Sequence, residues 1–144
     1  MAHILKHHNL TEQIIGIFFA VYNELGHGFL ESVHHQSMLV ALTESGLAVE
    51  SQIPIQVYFR GCQVGVFRAD LLVEDSVLIE LKAGAALEKA QESQLLNYLR
   101  ATDIEVGLLL SFGERAQFKR LVFENTRKKF RENPLKSASS AAGF

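Results

Sequence analysis

The chain has 144 residues, 48% hydrophobic and 21% charged, with one cysteine and no tryptophan, which fits a single ordinary domain able to bury its own core. The lone cysteine, Cys62, excludes an internal disulfide scaffold and the paired-cysteine spacings of zinc ribbons, and points to a reducing, cytoplasmic setting. A formal net charge of −2 argues against a generally basic nucleic-acid binder, yet residues 1–114 hold six Lys/Arg against fourteen Asp/Glu and residues 115–136 hold eight against two.

The longest apolar run near the start, residues 14–21, is broken by Gly16 and falls far short of the roughly 18 residues of a membrane span; no membrane partner is expected. Over residues 11–25, Ile14, Phe18, Val21, Tyr22 and Leu25 recur at helical spacing. Asn9 with Glu12 reads as a capping box, and Gly26-His27-Gly28 as the stop. A second helix is expected over residues 30–45, with Val33, Met38, Ala41 and Leu42 inward and Gly46 closing it.

From Ala48 the period changes to two. Residues 49–59, 64–73 and 77–81 are β-branched or aromatic segments separated by Arg60-Gly61 and Glu74-Asp75-Ser76, and read as successive antiparallel strands. Residues 87–101 form a third helix, residues 105–112 a strand buried on both faces, and residues 119–123 an edge strand. The basic residues 124–131 are expected to be a terminal helix and residues 134–144 a disordered tail. The order α, α, several β, α, β predicts an α/β domain with a mixed sheet flanked by helices.

Charges interrupt two of these strands. Phe67, Ala69, Leu71 and Val73 alternate onto one face, leaving Arg68 and Asp70 on the other. In the next strand Val77, Ile79 and Leu81 share a face, so Glu80 and Lys82 project together from the opposite one. The register that sets Asp70 opposite Glu80 pairs Val73 with Val77 and leaves Glu74-Asp75-Ser76 as a three-residue turn. Their Cβ atoms would then lie about 5 Å apart. Two hard carboxylate oxygens suit Mg²⁺, with Mn²⁺ as the alternative, and an adjacent ammonium suits phosphodiester hydrolysis. A surface ion pair is the competing account of Glu80 and Lys82 alone. On the third helix Gln94 and Tyr98 stack at i, i+4. Glu31, at the start of the second helix and on the side of His34 and His35, is a further candidate ligand or a dipole-favoured carboxylate. The six histidines form no His-Glu-x-x-His motif, and a helix surface or an N-terminal tail accounts for them better than a transition-metal site.

Asp70, then Glu80-Leu81-Lys82, then Gln94-x-x-x-Tyr98 and a buried strand resemble the PD-(D/E)XK nuclease superfamily, and the Gln-x-x-x-Tyr piece its exonuclease branch. Gly28-Phe29-Leu30-Glu31-Ser32-Val33-His34 is similar to the signature of the GxxExxY proteins within it, with His34 where that pattern has Tyr. Gln52-x-Pro54-Ile55, Tyr58-x-x-Gly61, Ala69-Asp70-Leu71-Leu72-Val73, Leu95-x-Asn97-Tyr98-Leu99 and Gly107 to Gly113 follow in order, so the likeness spans residues 10–123.

The resemblance implies a restriction-endonuclease-like αβββαβ core in one domain, residues 1–133, with a basic segment at 115–133. It implies Asp70, Glu80 and Lys82 as catalytic residues, and Asp70, Glu80 and Glu31 as ligands of Mg²⁺ or Mn²⁺, with Gln94, Tyr98 and His34 supporting. The expected activity is metal-dependent hydrolysis of nucleic acid, DNA before RNA. Lys119, Arg120, Arg127, Lys128 and Lys129 are candidate phosphate contacts. A non-catalytic nucleic-acid-binding or accessory protein on the same fold is the alternative, and the small size leaves room for self-association or a targeting partner.

Overall fold

The computed structural model describes residues 6–84 and 87–128. Two helices, α1 (His8–Leu25) and α2 (Glu31–Glu44), precede the strands β1 (Val49–Phe59), β2 (Cys62–Val73) and β3 (Val77–Gly84). Helix α3 (Lys89–Arg100), β4 (Val106–Gly113), β5 (Ala116–Val122) and a single 3₁₀ turn, Asn125–Arg127, complete the order. The five strands form one sheet in the order β1-β2-β3-β4-β5. β3 and β4 run parallel and every other neighbouring pair is antiparallel, the mixed sheet that the sequence predicts.

Helices α1 and α2 cover one face of the sheet. Ile14, Phe18, Met38 and Leu42 pack there on Leu71, Val73, Ile79, Leu81, Leu108, Leu110 and Phe112. Helix α3 covers the other face, where Leu95, Tyr98 and Leu99 meet Ile53, Ile55, Ala69, Leu72, Leu78 and Leu109. β4 is buried along its whole length because both faces are covered, which explains its unbroken apolar sequence.

Two local expectations are corrected. Helix α1 begins at His8, with His7 in the left-handed region as its N-cap and no side-chain cap, so Asn9 and Glu12 form no capping box. The reciprocal box is instead at α3, where the Glu88 N–H donates to Gln91 Oε1 at 3.1 Å. The expected terminal helix over residues 124–131 is a 3₁₀ turn of three residues as far as Lys128, and Lys129, Arg131 and the tail 134–144 lie outside the described residues.

The facing of β2 also differs from a regular alternation. Leu71 and Val73 join the cluster under α1 and α2, whereas Ala69 joins the cluster under α3 and Phe67 is half exposed. β2 pairs with β3 only at Leu71↔Ile79, Leu72↔Leu78 and Val73↔Val77. Beyond that point β1 and β2 continue as a two-stranded ribbon, and the pronounced twist of such ribbons breaks the simple odd-even rule.

Gly107 sets the distance of α3 from the sheet. A Cβ there would meet Leu95 Cγ, Cδ1 and Cδ2 at 3.0 Å, and Leu95 is fully buried. Gly107→Ala is therefore expected to overpack this layer and destabilise the fold by roughly 1–3 kcal/mol. Urea denaturation of the two proteins measures it, and an unchanged midpoint would remove the close approach from the account.

Candidate active site: a dicarboxylate at a strand fork

The hairpin register is the one that the sequence predicts. Val73 pairs with Val77, and Glu74 and Asp75 take positive φ (52° and 55°) in a three-residue turn closed by Ser76 N–H to Val73 O at 2.9 Å. One step past the last paired residues, Asp70 and Glu80 face one another and their side chains replace the ladder. Glu80 Oε2 accepts the Asp70 N–H at 2.8 Å, and Asp70 Oδ2 accepts the Leu81 N–H at 2.7 Å. Each carboxylate thereby stitches the opposite strand. Asp70 Oδ1 and Glu80 Oε1 accept no hydrogen bond among the described residues.

By strand alternation from Leu78, which packs under α3, Glu80 and Lys82 project toward the α3 face. Glu80 is only 5% exposed. Burial, then the charge of Asp70, pushes its carboxyl up to about 8, against the opposing pull of the Asp70 N–H and the charge of Lys82. Lys82 forms no direct ion pair among the described residues, so the surface ion-pair account of Glu80 and Lys82 does not hold. Lys82 lies beside Ser111 of β4 in the parallel register.

Tyr98 is brought to this site from α3. Burial, then the charges of Glu80 and Asp70, raise its phenol above the usual range, and a hydrogen bond with Gln94 pulls it back down. The phenol is thus held protonated, able to donate. Glu31 stands exposed in the first turn of α2, and its charge adds to the upward push on Glu80. Among the described residues no three His, Cys, Asp or Glu side chains gather as a metal-holding group. Glu31 therefore lends charge at a distance, and the donor set in direct reach is the Asp70 and Glu80 pair.

The two adjacent histidines behave differently from a helix surface. His35 is buried and its Nε2 lies 3.1 Å from Asp70 O and 3.3 Å from Ser51 Oγ. A carbonyl only accepts, so Nε2 carries the proton and Nδ1 accepts from Gln36 Nε2 at 3.5 Å. His35 thus pins the strand at Asp70, a role that the sequence reading missed; its place one residue after His34 was the available signal. His34 has 0% exposure, stacks on Phe112 at 4.2 Å between centroids, and neither ring nitrogen has a hydrogen-bond partner among the described residues. Burial lowers its pKa and favours the neutral ring in the core.

Among the described residues, the basic side chains of the C-terminal part do not form one patch. Lys119 is exposed and pairs with Leu109, which places it on the α3 side. Arg120 points to the other side, where Nε donates to Thr11 Oγ1 at 3.2 Å and Nη2 to Lys6 O. Arg127 lies over the Phe123 ring at 5.1 Å. Lys128 is 7% exposed and its Nζ donates to Thr102 O and Ile104 O at 2.8 and 2.7 Å, a structural use of its charge in place of a phosphate contact.

A mixed sheet between two helical layers, with paired carboxylates where one strand leaves the next, defines a restriction-endonuclease-like α/β domain. Residues 8–121 match the family model PDDEXK_3, described as the PD-(D/E)XK nuclease superfamily, and the chain belongs to that superfamily. Among solved structures it is similar to the crystal structure of SSO0001, at 18% identity and a TM-score of 0.51, over 75% of this chain and 52% of that one. An alkaline exonuclease, LHK-Exo, from Laribacter hongkongensis also matches, at 16% identity and a TM-score of 0.40, over 76% of this chain and 61% of that one. The chain thus spans about half the length of the first and three-fifths of the second. At this identity the likeness to SSO0001 is one of fold. No curated protein matches the chain. No helix among the described residues is long and apolar enough to cross a membrane.

The raised Glu80 has a signed consequence for the metal-free protein. Between about pH 4.5 and 8 the unfolded chain has released this proton and the folded one keeps it, so stability falls as pH rises through that window. Glu80→Gln keeps the acceptor oxygen and removes the titration. It is expected to melt at the same temperature as the parent near pH 4 and at least about 3 °C higher at pH 8 in EDTA. A parent protein that gains on the variant as pH rises would contradict the assignment.

Proposed function

We propose that the protein is a divalent-metal-dependent nuclease, acting on DNA before RNA, with Asp70, Glu80 and Lys82 as its catalytic residues. The observation that carries the reading is the pairing of the buried Glu80 with the half-buried Asp70, whose carboxylates face one another where β2 leaves β3. The donor set fits Mg²⁺ or Mn²⁺: two carboxylates, all oxygen, leaving the other coordination positions to water and substrate phosphate. Asp70 Oδ1 and Glu80 Oε1 are the oxygens that would hold the ion. When bound, such an ion neutralises phosphate charge and acidifies water.

The chain's own groups do the rest. Lys82 projects from the same face of β3 as Glu80 and is not consumed by an ion pair, so its ammonium can orient the attacking water and stabilise charge developing on the phosphoryl oxygens. The Tyr98 phenol, kept protonated and steadied by Gln94, donates toward a phosphate oxygen. His35 holds the strand that carries Asp70 through the Asp70 carbonyl. Glu31 adds to the negative field that draws in the cation. The order of the motifs from Gly28 to Gly113 supports placing the chain with the GxxExxY proteins. Among the described residues Lys119, Arg120, Arg127 and Lys128 are dispersed, which favours the catalytic reading over one that rests on a single basic surface.

The test is a panel of single-stranded, double-stranded and branched DNA and RNA in Mg²⁺ and in Mn²⁺. Cleavage is expected to depend on the metal and to fall at least about 100-fold in Asp70→Asn, Glu80→Gln and Lys82→Met. Far-UV circular dichroism should show all three variants folded. Full activity in Lys82→Met, or no cleavage of any substrate by the parent protein, would overturn the reading.

A further inference from the structure

Beside the dicarboxylate, the β1 and β2 ribbon and α3 enclose a cleft of about 620 Å³. Its walls carry three aromatic rings, Tyr58, Phe67 and Tyr98, and three amide side chains, Gln56, Gln94 and Asn97. Among the described residues the one charged side chain lining it is Arg100. Tyr98 lines this cleft and packs in the same cluster as Ala69, the residue before Asp70, so the cleft adjoins the dicarboxylate.

The Phe67 ring stands 48% exposed, 6.0 Å from the Tyr98 ring between centroids and tilted by 38°. An aromatic side chain this exposed at the wall of a cleft is matched to a ligand with a flat face. The ring is seated over Gly65, where a Cβ would come within 3.2 Å of Phe67 Cε2, so the backbone is shaped to receive it. The register of the ribbon slips between Val57 and Tyr58, a bulge that falls on the stretch lining the cleft. Bulges of this kind re-aim side chains next to functional sites.

We propose that this cleft is a stacking site for one unpaired nucleobase of the strand being cut, with Phe67 as the principal platform and Tyr98 linking it to the scissile phosphate. The proposal rests on the nuclease reading and names its substrate class, a single strand or a frayed end. Every base has a π-face, so aromatic platforms accept bases with little sequence preference. Amides offer donors and acceptors together and fit the mixed edges of the bases. Arg100, which also donates to Asn97 Oδ1 at 3.4 Å and lies over the Phe123 ring, brings positive charge to the cleft beside an otherwise acidic site. A volume of this size admits a base with its sugar. A base stacked within a duplex must first be drawn out, so intact duplexes are disfavoured.

The experiment uses a single-stranded oligonucleotide carrying 2-aminopurine, titrated with protein in EDTA and followed by fluorescence. The expected result is quenching on binding to the parent protein. Phe67→Ala should lose the quench and bind about tenfold more weakly, while Phe67→Tyr should keep both. No quench with the parent protein, or equal quenching and affinity in Phe67→Ala, overturns the proposal. The substrate panel separates the two claims. Quenching without metal-dependent cleavage refutes the nuclease reading and leaves the stacking site standing. Cleavage with an unaltered preference for single strands in Phe67→Ala refutes the stacking site and leaves the nuclease standing.

Discussion

Where β2 leaves β3, two backbone N–H groups lose their ladder partners, and the carboxylates of Asp70 and Glu80 take their place across the gap. A buried N–H without a partner is costly, so these two hydrogen bonds let the strands part. The parting then does two things at once. It leaves two acidic groups facing each other beside Lys82, and it frees the β1 and β2 ribbon to curl toward α3 and form the cleft. Charge and shape at the site thus have a common cause.

The same economy of polar groups runs through the rest of the molecule. Lys128 neutralises two carbonyls at the end of α3, Arg120 ties the edge strand β5 to the start of α1, and His35 holds the carbonyl of Asp70. Each is a charged or titratable side chain used to satisfy buried backbone or hydroxyl groups, which is the ordinary fate of such residues in a small domain. Glu80 also accepts a backbone N–H, that of Asp70, but it is buried facing a second carboxylate, with no direct ion pair among the described residues. Two carboxylates facing one another, one of them buried, are a candidate functional site on physical grounds.

Much of this was legible in residue spacing. The three-residue turn Glu74-Asp75-Ser76 sets the register of the hairpin, and with it the apposition of Asp70 and Glu80, because a hairpin has only one free parameter. The i, i+4 spacing of Gln94 and Tyr98 likewise foretold that they share one side of α3, and both line the cleft. The facing of Ala69 was not legible, since alternation assumes a flat strand and the ribbon twists away at Asp70. Nor was the fate of the basic residues: a count of charges along the chain does not say which face of an edge strand each one takes, and Lys119 and Arg120 go to opposite faces. His34 and His35 read as a helix surface because their burial is imposed by Phe112 and by the strand at Asp70, both far away in sequence.

The central claim is that the Asp70 and Glu80 pair is built to hold one divalent cation. Calorimetric titration of the metal-free protein with Mn²⁺ at neutral pH tests it most directly. The account predicts a single site per chain that disappears in Asp70→Asn with the fold intact. Binding of equal stoichiometry and affinity in that variant, or no binding by the parent protein at millimolar Mn²⁺, would contradict it.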